Sequence, residues 1–208
     1  MRIAPEGWPF IGAALGVCAL LAMFRVWIPL AVWLPLTIWV IAFFRDPARP
    51  GPRGEKLVIS PADGKVISVI PIEEPGFLHG PATRISIFMN VFSVHVNRYP
   101  ADGVVAYRHY LAGRFLHAAD EKASAENEQS SIGLRTDYGP LLVRQIAGSI
   151  ARRIVTDHPE GTRVRQGERL GMIRFGSRVD VFLPPGVQVK VKVGDLTRAG
   201  QTIIAEWP

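Results

Sequence analysis

The sequence predicts a mainly β, α+β protein: a β-sandwich- or barrel-like domain preceded by an apolar helical hairpin. Three observations predict this class. Between Trp8 and Phe44 the only charged residue is Arg25. From residue 56 onward, short runs of β-branched and aromatic residues alternate with turn residues, which is typical of strands. Over residues 164–204 a strand, a Gly-acid turn and a strand occur twice, as in barrel-sandwich domains.

Composition limits the class of protein further. The chain has 208 residues, of which 48% are hydrophobic, so it is too apolar to be disordered and long enough for one domain with an appendage. A domain of this size buries enough surface to fold without disulfides. Cys18 is the only cysteine, which excludes an internal disulfide and a cysteine-based zinc site.

The net charge of +6 has two interpretations. Nucleic-acid binding is disfavoured, because no basic residues interleave with aromatic residues on a recognisable module. An anionic membrane surface fits better. The basic residues that follow the apolar segment directly are Arg45, Arg49, Arg53 and Lys56.

The N-terminal segment is predicted to form two helices. One helix through all of Pro9–Phe44 would be about 55 Å long, against a hydrocarbon core of about 30 Å. A hairpin that turns near Arg25–Pro29 removes this conflict. A buried core helix and a cleaved signal peptide are the alternatives, and the sequence leaves open whether the hairpin spans the bilayer or dips into it. Arg2 and the basic cluster after the hairpin place both ends on the cytoplasmic face of the cell membrane.

The remaining elements follow in order. Residues 1–44 form the hairpin, residues 45–55 a linker rich in proline and glycine, and residues 56–208 the β domain. The strand patterns predict a hairpin over Lys56–Ile70, strands in Thr83–Val96 and Gly103–Tyr110, a solvated loop over Glu121–Ser131, a hairpin over Ile132–Ile146, and a short strand or helix in Ala147–Val155.

Three short stretches carry residues suited to chemistry. Gly176–Ser177 interrupts two strand-like runs; it is either a bulge or turn, or a step at which the serine hydroxyl attacks the glycine carbonyl. His95 lies in the block FMNVFSVHVNR of residues 88–98, either as a core residue or as a proton donor. Asp63 lies in the turn PADG of residues 61–64 and is suited to orient a histidine or accept a proton.

These stretches, in this order, resemble the phosphatidylserine decarboxylases, and most closely the short membrane-associated bacterial type. The block of residues 145–154 also looks like part of that family. Longer bacterial members have Leu-Gly-Ser-Thr where this chain has Phe-Gly-Ser-Arg. They also have a second histidine where this chain has Arg98, so His95 is the only histidine candidate in its block.

The resemblance implies a proenzyme that cleaves itself at Gly176–Ser177. A large chain of residues 1–176 and a small chain of residues 177–208 would result, with a covalent pyruvoyl group formed from Ser177 and no need for a metal or pyridoxal phosphate. Phosphatidylserine would form a Schiff base with that group, lose carbon dioxide and leave as phosphatidylethanolamine. His95 would reprotonate the product and Asp63 would act as base in self-cleavage. Arg98 or Arg178 would hold the phosphate or carboxylate.

Two other functions stay open on the sequence alone. One is a pyruvoyl-dependent decarboxylase of another amine lipid or of an amino acid. The other is a non-enzymatic, membrane-anchored β-barrel binding module, which predicts an intact chain of 208 residues. The sequence leaves open whether two or more copies of the processed pair assemble, and the resemblance implies no nucleic-acid partner.

Overall fold

The structure is a computed structural model that describes residues 2–114, 116, 118–120, 123–149, 153–174 and 176–208. The chain divides into two compact units, Met1–Ala48 and Arg49–Pro208. The structure is mainly β, with a pair of N-terminal helices, which confirms the predicted fold class.

The first unit is the predicted helical hairpin. Helix α1 spans Trp8–Met23 and helix α2 spans Trp27–Phe43. They are joined at Arg25, whose φ of 55° lies in the left-handed region. A hydrogen bond of 3.1 Å from Trp33 Nε1 to the Ala14 carbonyl oxygen links the two helices. The helical segment Pro5–Met23 is long and apolar enough to cross a membrane.

The ends of the hairpin are paired as well. Strand β1 (Arg2–Ile3) pairs with strand β2 (Arg45–Asp46), so the first residues of the predicted linker belong to this unit. Many apolar side chains of the helices are exposed, among them Ile28 and Val32 at 81% and 72%. Such exposure is the reverse of what a buried core helix shows.

In its described residues, the second unit contains the other strands and one short helix. The strands are β3 (Leu57–Ile59), β4 (Gly64–Glu74), β5 (Gly80–Met89), β6 (Val96–Arg98), β7 (Gly103–Leu111), β8 (Gln129–Thr136), β9 (Gly139–Ala147), β10 (Ile154–Thr156), β11 (Arg163–Val164), β12 (Arg169–Ile173), β13 (Ser177–Leu183), β14 (Gln188–Val189), β15 (Leu196–Thr197) and β16 (Ile203–Glu206). Helix α3 spans Ala123–Glu126.

These strands form one large sheet and two small ones. The eight-stranded sheet has the order β11-β7-β8-β9-β13-β5-β4-β15, and the three-stranded sheets have the orders β10-β12-β6 and β14-β16-β3. Every pairing is antiparallel. Every residue of β13 is buried. This strand therefore lies at the centre of the core, held on one side by β9 and on the other by β5.

One end of the eight-stranded sheet is defined by the first residue of β13, and we call it the Ser177 end. Ser177 is opposite Met89 at the end of β5 and Ala147 at the end of β9. The register of the other pairs brings the ends of β7 and β15 and the starts of β8 and β4 to the same end. Side chains and loops at these strand ends therefore surround Ser177.

The predicted hairpin over Lys56–Ile70 is wrong. Strand β3 pairs with β16, close to the C-terminus, whereas β4 pairs with β5 and β15. The turn at residues 61–64 carries the chain from one sheet to another. The turn residues gave the correct place for a change of direction, but the partner of β3 comes from the far end of the chain.

The predicted solvated loop over Glu121–Ser131 is also wrong in its described part. Residues 123–126 form α3, and β8 begins at Gln129. Asn127 is fully buried, and Ser130 and Ser131 are nearly so. The segment lacks apolar periodicity because hydrogen bonds, rather than apolar contacts, satisfy its buried side chains.

The repeated pattern of residues 164–204 predicts the positions of the two turns correctly. It is wrong in predicting that the two strands on either side of each turn pair with each other. Gly167 and Gly194 have positive φ values of 82° and 101°, as expected for tight turns. The strands around each turn lie in different sheets, however. Strand β11 pairs with β7 while β12 pairs with β6 and β10, and β15 pairs with β4 while β16 pairs with β3 and β14.

Candidate active site

The Gly176–Ser177 step lies where the chain passes from a small sheet to the large one. Strand β12 ends at Ile173 in the three-stranded sheet, and β13 begins at Ser177 in the eight-stranded sheet. The Ser177 side chain is fully buried. Its Oγ donates to Met89 Sδ at 3.4 Å. Sulfur is a weak acceptor, so this hydrogen bond does little to hold the hydroxyl away from the preceding carbonyl group.

Gly176 has a left-handed backbone. Its φ is 64°, a value that costs other L-residues roughly 1–2 kcal/mol. A Cβ atom built at this position would meet no atom within 4 Å. The glycine is therefore required for its backbone conformation and not for space, which agrees with the turn predicted at this step.

A second glycine approaches the same peptide bond. A Cβ atom built on Gly148 would overlap the Gly176 carbonyl oxygen and lie 3.1 Å from Ala118 Cβ. Gly148 directly follows Ala147, the residue opposite Ser177 on β9. The absence of a side chain at Gly148 therefore leaves room for the carbonyl group that Ser177 would attack.

Asn127 holds the strand end that carries Gly148. Its Nδ2 donates to the carbonyl oxygens of Ala147 at 2.7 Å and Leu116 at 2.8 Å. Its Oδ1 accepts from the Leu116 amide at 2.9 Å. Neither Asn127 nor Gly148 was among the residues predicted to form the site. The Gly148–Ser149 step was visible in the sequence, but nothing in the sequence indicated which carbonyl group it would meet.

His95 contacts the candidate cleavage step directly. The buried imidazole lies just before β6, with Nδ1 2.9 Å from the Ser93 carbonyl oxygen. The Gly176 amide donates to its Nε2 at 3.3 Å. Because a carbonyl oxygen only accepts, Nδ1 carries the proton and Nε2 presents its lone pair. A neutral imidazole in this tautomer is suited to accept a proton beside the Gly176–Ser177 bond.

Asp63 lies at the same end of the large sheet. It directly precedes β4, which is separated from β13 by β5, so its backbone is about 10 Å from that of Ser177. Its Oδ2 receives a hydrogen bond of 2.6 Å from Arg49 Nη2, and its Oδ1 one of 2.7 Å from the Ala199 amide. The direct role of Asp63 in self-cleavage stays a prediction.

The turn that contains Asp63 also contacts the strand that follows His95. The Pro61 carbonyl oxygen accepts from the Arg98 amide at 3.0 Å and from Asn97 Nδ2 at 3.4 Å. The turn and the histidine strand are thus joined through backbone groups at the Ser177 end. Two of the three predicted stretches, those with His95 and Ser177, are in direct contact, and the third lies beside them.

The two arginines predicted to bind substrate have protein partners. Arg98 is half-buried, and its Nη1 donates to the Gly167 carbonyl oxygen at 3.0 Å. Arg178 is fully buried, with Nε 2.6 Å from Asp180 Oδ1 and Nη2 2.6 Å from Ser86 Oγ. Their assignment to the phosphate or carboxylate stays a prediction.

A buried polar network below the site was also missed. Gln145 Nε2 donates to Asn97 Oδ1 at 2.9 Å, and Thr156 Oγ1 donates to Gln145 Oε1 at 2.9 Å. Asn97 Nδ2 lies 3.7 Å from Met89 Sδ, the atom that also accepts from Ser177. The network links β6, β9 and β10 beneath the cleavage step. Polar side chains within otherwise apolar strands are the signal that indicates such a network.

Comparison with known proteins agrees with this geometry. The family model described as phosphatidylserine decarboxylase matches residues 36–205. A phosphatidylserine decarboxylase proenzyme of Symbiobacterium thermophilum is 50% identical over 99% of this chain and 96% of its own length. Proteins of the same name from Aromatoleum aromaticum and Nitrosomonas eutropha are 49% and 46% identical, over 99% of this chain and 96% and 95% of their own lengths. This chain therefore belongs to the phosphatidylserine decarboxylase family.

Proposed function

We propose that this chain is a proenzyme that cleaves itself and then decarboxylates phosphatidylserine to phosphatidylethanolamine. Relatives named for this reaction are about half identical to it over nearly their whole length. The observation that carries the proposal is the contact between His95 Nε2 and the Gly176 amide at the start of a buried central strand. The imidazole thus contacts the amide on the N-terminal side of Gly176, and the serine that would attack the Gly176 carbonyl group follows on its C-terminal side.

The self-cleavage step follows from these groups. Ser177 Oγ attacks the Gly176 carbonyl carbon, the peptide bond to the Ser177 nitrogen breaks, and an ester forms. Elimination then removes the Cα proton of residue 177 and releases the Gly176 carboxylate, and hydrolysis by water releases the nitrogen of residue 177 as ammonia and leaves a keto oxygen in its place. A base must take the hydroxyl proton and a group must protonate the nitrogen. We assign the proton transfer to His95, with Asp63 as a further base candidate.

The site residues fit the pyruvoyl group that this sequence of steps leaves at position 177. The β13 backbone pairs with β5 and β9 from its first residue, so the new chain end stays fixed after the cut. Met89 and Ala147 give it buried walls. The group supplies the electron sink for decarboxylation. We assign to His95 Nε2 the proton that completes the product, and to Arg98 the binding of the phosphate.

The N-terminal hairpin is the proposed membrane anchor. Residues 8–44 are apolar and their side chains are widely exposed, and the basic residues on either side favour the cytoplasmic face. A lipid substrate stays in the bilayer with its acyl chains, so an anchored enzyme meets it by lateral diffusion. Release of the catalytic activity from membranes by deletion of residues 1–44 tests this assignment.

The test of the function has two readouts. Intact mass spectrometry of the purified protein is expected to show residues 1–176 and 177–208 as separate chains, the second with a blocked N-terminus. Mixed vesicles with phosphatidylserine are expected to accumulate phosphatidylethanolamine. An intact chain that is inactive on these vesicles would support the binding-module alternative instead.

The role of Asp63 has its own test. Asp63→Asn keeps the shape of the side chain and removes its charge, and we expect it to slow cleavage about 10²–10⁴-fold if Asp63 is a base. Because the carboxylate also contacts Arg49, the matched control is Arg49→Gln, which breaks the same ion pair. Equal slowing in the two variants would mean that the ion pair acts structurally and that Asp63 is not the base.

A further inference from the structure

The second unit exposes large apolar side chains mainly at one end of its large sheet. In the described part of residues 49–208 these side chains are Phe92, Tyr110, Leu111, Tyr138, Val193 and Leu196. Leu111 ends β7 at the Ser177 end, and Leu196, in the two-residue strand β15, lies opposite Lys65 near the same end. Tyr138 lies in the β8–β9 turn at the opposite end. We call the other five residues the apolar rim.

Phe92 is the part of the rim nearest to His95 along the chain. It is 70% exposed and lies in the loop after β5. Asn90 Oδ1 fixes this loop by accepting from the amides of Phe92 at 2.8 Å and Ser93 at 3.1 Å. The Ser93 carbonyl oxygen in turn contacts His95 Nδ1. The loop that exposes Phe92 is thus ordered and directly joined to the candidate catalytic histidine.

Leu196 extends the rim to the edge of the large sheet on the β5 side of Ser177, whereas the two rim residues of β7 lie on the β9 side. It is 79% exposed and pairs with Lys65, which is also exposed. Arg198 adds a second exposed basic residue two positions later. Apolar side chains interleaved with basic ones are typical of surfaces that lie in the interface of an anionic membrane. A protein partner would more often bury one contiguous apolar patch.

We propose that the apolar rim is the surface with which the catalytic unit lies on an anionic lipid bilayer. This inference rests on the proposed function. A phospholipid with two acyl chains must bring its headgroup to Ser177 while its acyl chains stay in the bilayer. The rim surrounds the end of the sheet at which Ser177 lies. When the rim lies in the membrane–water interface, the site around Ser177 faces the lipid headgroups. In this proposal the N-terminal hairpin anchors the chain, and the rim orients the catalytic unit.

The first experiment measures depth in the bilayer and needs no activity. Full-length protein with Cys18→Ser carries a single cysteine in place of Phe92, Leu196 or Tyr138, labelled with an environment-sensitive fluorophore. The protein is reconstituted in vesicles of phosphatidylcholine and phosphatidylglycerol, with or without a lipid that carries a nitroxide near its headgroup. We expect the nitroxide to quench the label at positions 92 and 196 and to leave the label at 138 unquenched.

The second experiment separates the rim from catalysis. The test variant is the double substitution Phe92→Ser/Leu196→Ser. For phosphatidylserine in vesicles, we expect its KM, expressed as the mole fraction of phosphatidylserine in the bilayer, to rise about tenfold while kcat stays unchanged. With a water-soluble short-chain phosphatidylserine, KM should stay as in the unchanged protein. Tyr138→Ser is the matched control, since it removes an exposed apolar side chain from the opposite end.

The outcomes distinguish the two proposals. If the unchanged protein does not act on phosphatidylserine, the proposed function fails, whereas the quenching pattern still tests the rim. Equal quenching at positions 92 and 138, or none at 92, would overturn the membrane surface. A label at position 92 that escapes the nitroxide but responds to the protein-to-lipid ratio would show a second copy of the chain on the rim instead.

Discussion

The chain contains two Gly-Ser steps, and the structure places them side by side with different properties. Gly176–Ser177 opens a central strand, with a left-handed glycine, a fully buried serine and a histidine on the glycine amide. Gly148–Ser149 follows the neighbouring strand, and its serine is exposed. The same dipeptide is therefore a candidate reactive bond in one place and the wall beside that bond in the other.

The two steps differ in the reason why each position requires glycine. Gly176 is required by its backbone angle and has open space around the missing side chain, whereas Gly148 is required because the Gly176 carbonyl oxygen occupies that space. A dipeptide becomes reactive through its surroundings. Substitutions in and around the two steps test this division, and they are ordered from the largest expected effect to the smallest.

Substitution of Ser177 should abolish cleavage, whereas substitution of Ser149 should have no effect on it. Ser177→Ala removes the only nucleophile of the proposed step, so we expect the chain to stay intact and inactive. Ser149→Ala leaves that nucleophile in place, so we expect normal cleavage and activity. Denaturing gel electrophoresis and intact mass, followed over time after synthesis, measure both. A cleaved Ser177→Ala protein, or an intact Ser149→Ala protein, would remove the distinction between the two steps.

His95 should matter through its proton and not only through its contact. Gln at this position keeps an acceptor for the Gly176 amide but takes up no proton, so His95→Gln is expected to slow cleavage or turnover about 10²–10⁴-fold. The measurements are the cleavage time course and carbon dioxide release per processed chain. An unchanged cleavage rate together with an unchanged rate of carbon dioxide release would exclude His95 from the proton transfers. A large fall in the melting temperature of His95→Gln would point to a structural role instead.

Gly148→Ala should slow cleavage because its new Cβ atom displaces the Gly176 carbonyl group. Displacement of a reacting group by about 1 Å costs on the order of 10²-fold in rate. The control is Gly80→Ala, since a Cβ atom at Gly80 meets nothing within 4 Å. Once processed, Gly148→Ala should turn over substrate nearly normally. Normal cleavage in Gly148→Ala would mean that the carbonyl position is not critical.

Gly176→Ala should show the smallest effect of the set. The added methyl group has space, but the left-handed backbone disfavours alanine by roughly 1–2 kcal/mol. That penalty corresponds to a loss of about tenfold in cleavage rate if the left-handed angle must persist through the reaction. Gly176→Asn is the matched comparison, because asparagine tolerates this region better. Slower cleavage in Gly176→Asn than in Gly176→Ala would contradict an explanation based on backbone angle.

Local signals in the sequence predicted much of the fold. The β8–β9 hairpin was predicted from its turn at residues 137–139, and the two helices were predicted from their uncharged runs around Arg25. Both elements close on partners that are adjacent in sequence. Strand β3 pairs instead with β16, near the C-terminus, and no local signal identifies such a partner.

The candidate site divides in the same way. Ser177, His95 and Asp63 were found because their residue types and motifs indicate chemistry. The contact between His95 and Gly176 joins residues 81 positions apart, and it exists because β6 and β12 share a sheet just before the chain enters β13. Asn127 and Gly148 act through shape and hydrogen bonds, so their role depends on distant atoms that the sequence does not identify.

The central position of β13 affects whether the protein can refold after it has been cleaved. Residues 177–208 contribute β13 and β15 to the large sheet and β14 and β16 to a small one. The proposed cut before Ser177 would turn one molecule into two fragments whose strands share the same sheets. After denaturation, the fragments must find each other in solution, so refolding becomes dependent on concentration. If cleavage occurs as proposed, the continuous chain can refold as one molecule, whereas the cleaved enzyme must first reassemble from two fragments.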